Sequence, residues 1–121
     1  MTTDRIRITG LEVLARHGVL PHEKERAQPF EIDLELEATL GEAARSDDLS
    51  ATIDYGAVVE MVVAVVEGTS FALLEALAEA IALEVLSGSG AEAVTVEVRK
   101  VRPPLEAHVS SVGVRLRRTL A

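Results

Sequence analysis

The stretch FEIDLELEA, residues 30–38, decides the fold because apolar and acidic side chains alternate along it until the final alanine. A strand sends successive side chains to opposite faces of its sheet, so this alternation predicts a strand that is buried on one side only. One face carries Phe30, Ile32, Leu34 and Leu36, and the other carries Glu31, Asp33, Glu35 and Glu37.

Three more segments alternate in the same way and predict three more strands. Residues 4–14, DRIRITGLEVL, change phase across Gly10, which indicates a bulge there. Residues 94–100, VTVEVRK, and residues 112–117, VGVRLR, supply the third and fourth strands. None of the four is a continuous apolar run of the kind that builds parallel sheets, so the pattern favours an antiparallel sheet.

Two helices are predicted between the second and third strands. The first runs from about Gly56 to Glu67, and the second begins after Ser70, a typical N-cap residue, and ends at Gly88 and Gly90. The second helix has an apolar stripe at helical spacing, made of Leu74, Leu77, Ala78, Ile81 and Val85. The order ββααββ therefore predicts an α+β fold, with a four-stranded antiparallel sheet and two helices on one of its faces.

Length and composition narrow the class of protein. The 121 residues are expected to form one domain, 1–121, and 48% of them are hydrophobic. There is no cysteine, no apolar run of roughly 20 residues and no signal-peptide core, so we expect a cytoplasmic protein without a membrane partner. A net charge of −8, with one tyrosine, two phenylalanines and no tryptophan, argues against a nucleic-acid partner.

A charged face is predicted on the side of the sheet opposite the helices. Its residues are Arg5, Arg7, Glu31, Asp33, Glu35, Glu37, Arg99, Arg115 and Arg117. In one interpretation this charged face is solvated and held by cross-strand ion pairs. In the other, the sheet curves into a barrel made of several chains, and the charged face lines a wet channel.

Four isolated polar residues could carry chemistry, and each also has a structural explanation. Lys100 is in phase with the buried valines of its strand, although a lysine at a strand end can simply reach solvent. Tyr55 lies where a loop meets the first helix and could make a capping contact. Glu23 lies on a predicted loop, where a glutamate is usually solvated. Glu75 falls in the first turns of the second helix, where a helix N-terminus stabilises an anion with or without a ligand beside it.

The three histidines do not predict a metal site. His17, His22 and His108 lack a spacing that would place two of them on one helical face, and there is no cysteine to join them.

Taken together, five segments resemble the bacterial dihydroneopterin aldolase family. They are HGVLPHEKER, QPFEIDLEL, SDDLSATIDYGAVV, LLEALAEAIA and VEVRKVRPP, in this order along nearly the whole chain. The resemblance implies the tunnelling fold, in which four chains form a ring with one shared barrel and two rings stack head to head. It implies active sites between neighbouring chains, and it favours the channel interpretation of the charged face.

The reaction that the resemblance implies is a retro-aldol cleavage of 7,8-dihydroneopterin in folate biosynthesis, without cofactor, metal or Schiff base. The products are 6-hydroxymethyl-7,8-dihydropterin and glycolaldehyde. By the same resemblance Lys100 is the general acid/base, and Glu23 holds and polarises it.

The remaining roles also come from the resemblance. Tyr55 of a neighbouring chain protonates the enol intermediate, and Glu75 accepts two hydrogen bonds from the pterin edge. Backbone groups at Leu74 and Asp54 complete the pocket.

Three alternatives remain open from the residues. One is an epimerase of dihydroneopterin or its triphosphate, and Arg102 is the nearby cation that could bind a triphosphate. Another is dioxygen-dependent oxidation of the same pterin intermediate, but the presence of Tyr55 favours the aldolase. The third is a pterin-binding ring protein without catalysis.

Overall fold

The computed structural model describes residues 4–120 and contains the four predicted strands. The strands are β1 (Arg5–Ala15), β2 (Gln28–Glu37), β3 (Ala93–Lys100) and β4 (Val112–Thr119). The helices are α1 (Pro21–Glu25), α2 (Gly41–Ser46), α3 (Tyr55–Gly68) and α4 (Leu74–Ser89), and a 3-10 turn spans Leu49–Ala51. Within residues 4–120, no helix is both long and apolar enough to cross a membrane.

The sheet is antiparallel throughout, with the strand order β1-β2-β3-β4. The residue at the end of β3, Lys100, pairs with Phe30 of β2 on one side and with Val112 of β4 on the other. Helix α3 packs on β1 and α4 packs on β3 and β4. The prediction of an α+β fold with four antiparallel strands is therefore confirmed.

The hydrophobic core lies between the sheet and the two long helices. All five apolar side chains of the FEIDLELEA stretch are buried, as are Val58, Val62 and Val66 of α3. The predicted stripe of α4 is buried along its whole length. Burial of one strand face and one helix stripe supplies the main favourable free energy of folding.

The predicted bulge lies at Gly10. The register between β1 and β2 shifts between Ile8 and Leu11, and Gly10 has a φ of +73°, which glycine adopts without steric cost. The Gly10 N–H donates to Asp33 Oδ1 at 2.8 Å. A side chain on the charged face thus satisfies a backbone donor that the bulge removes from the ladder.

The structure corrects one local prediction and adds two short helices. Ser70 is not the N-cap of the second helix: α4 begins at Leu74, and the Ser70 hydroxyl donates to the backbone oxygen of Arg16. The segment between the helices is held by residues 16–18, which follow β1, and does not join the helix. Two short helices, α1 and α2, were not predicted, because segments of five and six residues are too short to show helical periodicity.

Cross-strand ion pairs connect the charged face. Arg99 donates to Asp33 through both terminal nitrogens, at 2.6 and 3.3 Å, and Arg117 donates to Glu37 at 2.8 and 3.1 Å. The hydrogen bond from Arg99 is the main cause that lowers the pKa of Asp33, and the one from Arg117 does the same for Glu37. Such ion pairs were expected if the charged face is solvated. The alternative, in which this face lines the channel of a barrel made of several chains, remains a proposal.

Acidification is expected to destabilise the fold through these carboxylates. A group whose pKa is lowered in the folded state stabilises it above its unfolded pKa of about 4, and this contribution is lost as the pH falls through the folded value. The free energy of unfolding, measured by denaturant titration at fixed protein concentration, should therefore fall below about pH 5. In an Asp33→Asn variant the free energy of unfolding should fall less steeply with decreasing pH. An equally steep fall would show that the Asp33 carboxylate does not contribute to the pH dependence.

Candidate active site

A cavity of about 290 Å³ opens where β3 ends and α4 begins. Its lining residues are Val19, Ala72, Leu73, Leu74, Glu75, Lys100, Pro103, Pro104, Leu105 and Val112. The structure thus brings together Lys100, Glu75 and Leu74, three of the six predicted site residues. Most of the lining is apolar, and the polar groups of Lys100 and Glu75 stand out within it, as in many small-molecule sites.

Lys100 forms an ion pair with Glu23, a fourth predicted residue. The Lys100 Nζ donates to Glu23 Oε2 at 2.7 Å, with only 15% of the lysine side chain and 2% of the glutamate side chain exposed. Glu23 lies in α1, so its placement on a loop was wrong, as was the alternative of a solvated glutamate. The alternative of a lysine that simply reaches solvent is also wrong.

Glu23 remains ionised because its hydrogen bonds and the nearby positive charges together outweigh its burial. Burial is the largest single effect and raises the pKa of this carboxyl, but the bonds from Lys100 and the Leu20 N–H, with the charges of Lys100 and His22, lower it further. The net pKa lies below the ordinary value, and the pair consists of an ammonium and a carboxylate.

Gly18 makes room for the Glu23 side chain. Its φ is +151°, and a Cβ built at this position would lie 2.3 Å from Glu23 Oε1 and 2.6 Å from Glu23 Cβ. These distances are far below van der Waals contact. Only glycine therefore lets the buried carboxylate lie between this loop and Lys100.

Gly18→Ala is expected to displace Glu23 and to impair the site. The new methyl group collides with the carboxylate and also carries an unfavourable φ, so we expect a loss of stability of about 1–3 kcal/mol together with a loss of activity. Denaturant titration and steady-state kinetics measure the two effects.

Gly90→Ala is the matched control for this change. Gly90 also has a positive φ, +84°, but no atom lies within 4 Å of its added Cβ. This variant should lose stability and keep full activity per folded molecule. Equal activity losses in the two variants would contradict the role given to Gly18.

His17 was not predicted as part of this region, although it is 1% exposed and lies beside it. Its Nε2 lies 2.8 Å from the Val66 carbonyl oxygen, and its Nδ1 accepts the Phe71 N–H at 2.9 Å. Burial lowers the pKa of His17, the Val66 carbonyl opposes this in part, and the charge of Lys100 adds to the lowering. The sequence signal was the HG pair at the head of HGVLPHEKER, which belongs to a segment of the family resemblance, but His17 itself was considered only for metal binding.

Glu75 stands in the first turn of α4 with its side chain exposed. Within residues 4–120 its carboxylate has no hydrogen-bond or ion-pair partner, and α4 begins without a side-chain cap. Leu74 and Glu75 both line the cavity, so the edge of a ligand that carries donors and an acceptor could bind to the carboxylate and to the uncapped backbone N–H groups of this turn.

Tyr55 and Asp54, the last two predicted residues, lie apart from this cavity. Asp54 is the N-cap of α3 and accepts from the Ala57 N–H at 3.3 Å, so the capping role belongs to Asp54 and not to Tyr55. The Tyr55 side chain is 66% exposed. Among the described residues, no group of three or more histidines and carboxylates could hold a metal ion.

The sequence matches one family of known proteins over nearly its whole length. The model of the family described as dihydroneopterin aldolase (FolB) matches residues 6–117. The chain belongs to the dihydroneopterin aldolase family. A dihydroneopterin aldolase of Streptomyces coelicolor is 42% identical over 116 residues, which cover 96% of this chain and 98% of that protein. Family membership makes the chain a lyase of pterin metabolism in the folate pathway.

Solved structures of dihydroneopterin aldolases have the same fold. The Escherichia coli enzyme in complex with neopterin superposes with a TM-score of 0.88 at 33% identity, covering 96% of this chain and 99% of the other. The enzyme of Burkholderia thailendensis bound to guanine has a TM-score of 0.79 at 25% identity, covering 98% and 92%. The cavity therefore lies in a fold that binds bicyclic nitrogen heterocycles in these two relatives.

Proposed function

We propose that the protein cleaves 7,8-dihydroneopterin into 6-hydroxymethyl-7,8-dihydropterin and glycolaldehyde. The observation that carries this proposal is that Lys100, paired with Glu23 at 2.7 Å, lines a cavity that Glu75 also lines. Membership of the dihydroneopterin aldolase family supports the reaction class.

The reaction breaks the bond between the first and second carbons of the trihydroxypropyl side chain. The hydroxyl on the second carbon loses its proton, and this carbon leaves as the aldehyde carbon of glycolaldehyde. The electron pair of the broken bond moves through the adjacent C=N bond of the dihydropterin to the ring nitrogen, which takes up a proton. Protonation of the first carbon of the resulting enol, with loss of the proton from the ring nitrogen and return of the C=N bond, then gives the hydroxymethyl product. Atoms and charge therefore balance without a metal or Schiff base.

Lys100 supplies and removes these protons in the proposed mechanism. Its ammonium lies at the end of β3, where the cavity begins, and its bond to Glu23 fixes the direction of the side chain. A positioned group of this kind can donate to the ring nitrogen and, through water, accept the proton of the hydroxyl. Glu23 acts by holding and polarising Lys100.

Glu75 is proposed to bind the pterin edge that carries an amino group and a ring N–H. A carboxylate matches two parallel donors in a bidentate manner. Guanine carries the same donor pair, and the Burkholderia relative binds guanine. The backbone N–H of Leu74, at the uncapped start of α4, is proposed to complete this contact.

The site is proposed to be shared between neighbouring chains of a ring of four, with two rings stacked. On the single chain the cavity has an open, apolar rim, since Val19, Leu73 and Leu105 are all more than half exposed. Tyr55 is exposed on another part of the surface. In the ring, Tyr55 and the backbone of Asp54 of one chain would close the rim of the next, and Tyr55 would protonate the enol.

Mixed rings of two inactive variants are expected to regain activity. Lys100→Met and Tyr55→Phe chains carry complementary defects, so an interface that joins the intact lysine of one to the intact tyrosine of the other is wild-type. Random mixing across a head-to-tail interface gives about a quarter of such sites. The variants are co-expressed with different tags, mixed assembly is verified by mass spectrometry, and glycolaldehyde release is compared with each pure variant. Verified mixed rings without recovery would disprove the shared site.

Product analysis tests the reaction itself. The protein is incubated with 7,8-dihydroneopterin without oxygen, with and without a chelator, and the pterins and glycolaldehyde are separated by chromatography. Equal release of both products in the two samples supports the proposal. Unchanged substrate would overturn cleavage, accumulation of an epimer would favour the epimerase, and loss of activity that zinc restores would overturn metal independence.

A further inference from the structure

The His17 ring joins two segments that form opposite sides of the cavity region. Residues 16–20 leave β1 and lead to Glu23, whereas residues 69–73 leave α3 and lead to Leu74 and Glu75. The Phe71 N–H donates to His17 Nδ1 at 2.9 Å, and the Gly18 N–H donates back to the Phe71 oxygen at 2.9 Å. The two segments are thus connected by a reciprocal pair of hydrogen bonds, one of which depends on a side chain.

The hydrogen bonds fix the imidazole as one neutral tautomer. A carbonyl oxygen can only accept, so the proton lies on Nε2 and is donated to Val66. A backbone N–H can only donate, so Nδ1 carries no proton and accepts from Phe71. The ring also packs edge-on against Phe30 and parallel to Phe71, with centroid distances of 5.3 and 6.0 Å.

The two bonds of the ring serve different parts of the molecule. Val66 lies in the last turn of α3, where carbonyl groups lack a partner within the helix, so the Nε2 bond is a helix cap. Phe71 lies three residues before Leu74, so the Nδ1 bond acts on the wall of the cavity. A purely structural role would make both bonds equally important for stability and neither specifically important for a ligand.

We propose that His17 is a positioning residue for the pterin pocket. Its Nδ1 holds the Phe71 backbone and thereby sets the distance between the Lys100–Glu23 pair and Glu75. This inference rests on the proposed function for the identity of the ligand.

Two substitutions separate the two bonds. His17→Asn places an amide oxygen where Nδ1 was, so it can accept from Phe71 but cannot reach Val66. His17→Gln places an amide nitrogen near the position of Nε2, so it can donate to Val66 but leaves the Phe71 N–H without its acceptor. Both variants lose one hydrogen bond and part of the ring packing, and their melting temperatures should fall by similar amounts.

The readout is affinity for neopterin, measured by fluorescence titration of the folded protein. His17→Asn should bind within about threefold of the wild type, whereas His17→Gln should bind at least about tenfold more weakly. Equal affinities of the two variants, a weaker affinity of His17→Asn, or failure of both to fold would overturn the positioning role. Wild-type protein that binds neopterin but does not cleave dihydroneopterin would overturn the proposed reaction and leave this comparison valid.

A second measurement does not depend on the variants. Long-range ¹⁵N NMR of the wild-type protein reports the protonation of each imidazole nitrogen. We expect His17 to be neutral with its proton on Nε2, both free and with neopterin bound. A proton on Nδ1, in either state, would overturn the proposal because Phe71 could not then donate to that nitrogen.

Discussion

Lys100→Met is expected to abolish turnover while pterin binding changes much less. The substitution keeps an unbranched side chain of similar length but removes the group that we propose exchanges protons with the substrate. Positioned acid/base groups contribute about 10²–10⁴-fold to rate, and kcat should fall by that factor. Pre-steady-state kinetics and neopterin titration separate kcat from affinity. A near-normal kcat would disprove the proposal that Lys100 is the general acid/base.

The same variant should also lose stability, for a reason separate from catalysis. It leaves the Glu23 carboxylate, 2% exposed, without its cation, and an uncompensated buried charge costs about 3–5 kcal/mol unless it is neutralised. The double variant Lys100→Met with Glu23→Gln removes that charge and should regain stability without regaining turnover. If stability and turnover returned together, the defect of Lys100→Met would lie in folding.

Two of the elements were predicted nearly to the residue. Helix α3 was expected from Gly56 to Glu67 and spans Tyr55–Gly68, and the third strand was expected to end at Lys100, as it does. In these segments the local pattern and the final packing agree, because each element buries one continuous face.

The errors lie where distant contacts determine local structure. Ser70 has the chemistry of an N-cap, yet its hydroxyl and the neighbouring Phe71 N–H bind groups of residues 16 and 17, 54 positions away along the chain. The bond from His17 to Val66 spans 49 positions. Residue spacing carries no information about such pairs, so the role of His17 appeared only with the fold.

The candidate site was predictable only where its residues lie in elements with a clear local pattern. The phase of Lys100 within β3 indicated an ammonium at the edge of the core, and the position of Glu75 in the first helical turn followed from the apolar stripe of α4. The pairing of Lys100 with Glu23 came from the resemblance and is present in the structure. The proposed place of Tyr55 in the site involves a second chain, and no pattern within one chain can reveal such a contact.

Glu75→Ala should act in the opposite way to Lys100→Met, because its proposed bonds exist in both the ground state and the transition state. Loss of a charge-assisted pair of hydrogen bonds from a pocket that the proposed ring closes to water should weaken pterin binding by roughly 2–4 kcal/mol. Turnover at saturating substrate should fall much less. Calorimetric titration with neopterin and steady-state kinetics measure the two quantities.

Glu84→Ala is the matched control for this substitution. Glu84 is another exposed glutamate of α4, but it lies outside the cavity. Because the Glu75 carboxylate has no partner within residues 4–120, its removal leaves no unpaired group in the free protein, and the effect on affinity can be assigned to the ligand. Glu84→Ala should bind neopterin as the wild type does. An affinity that is unchanged by Glu75→Ala, or lowered equally by both variants, would show that the pterin edge is bound elsewhere.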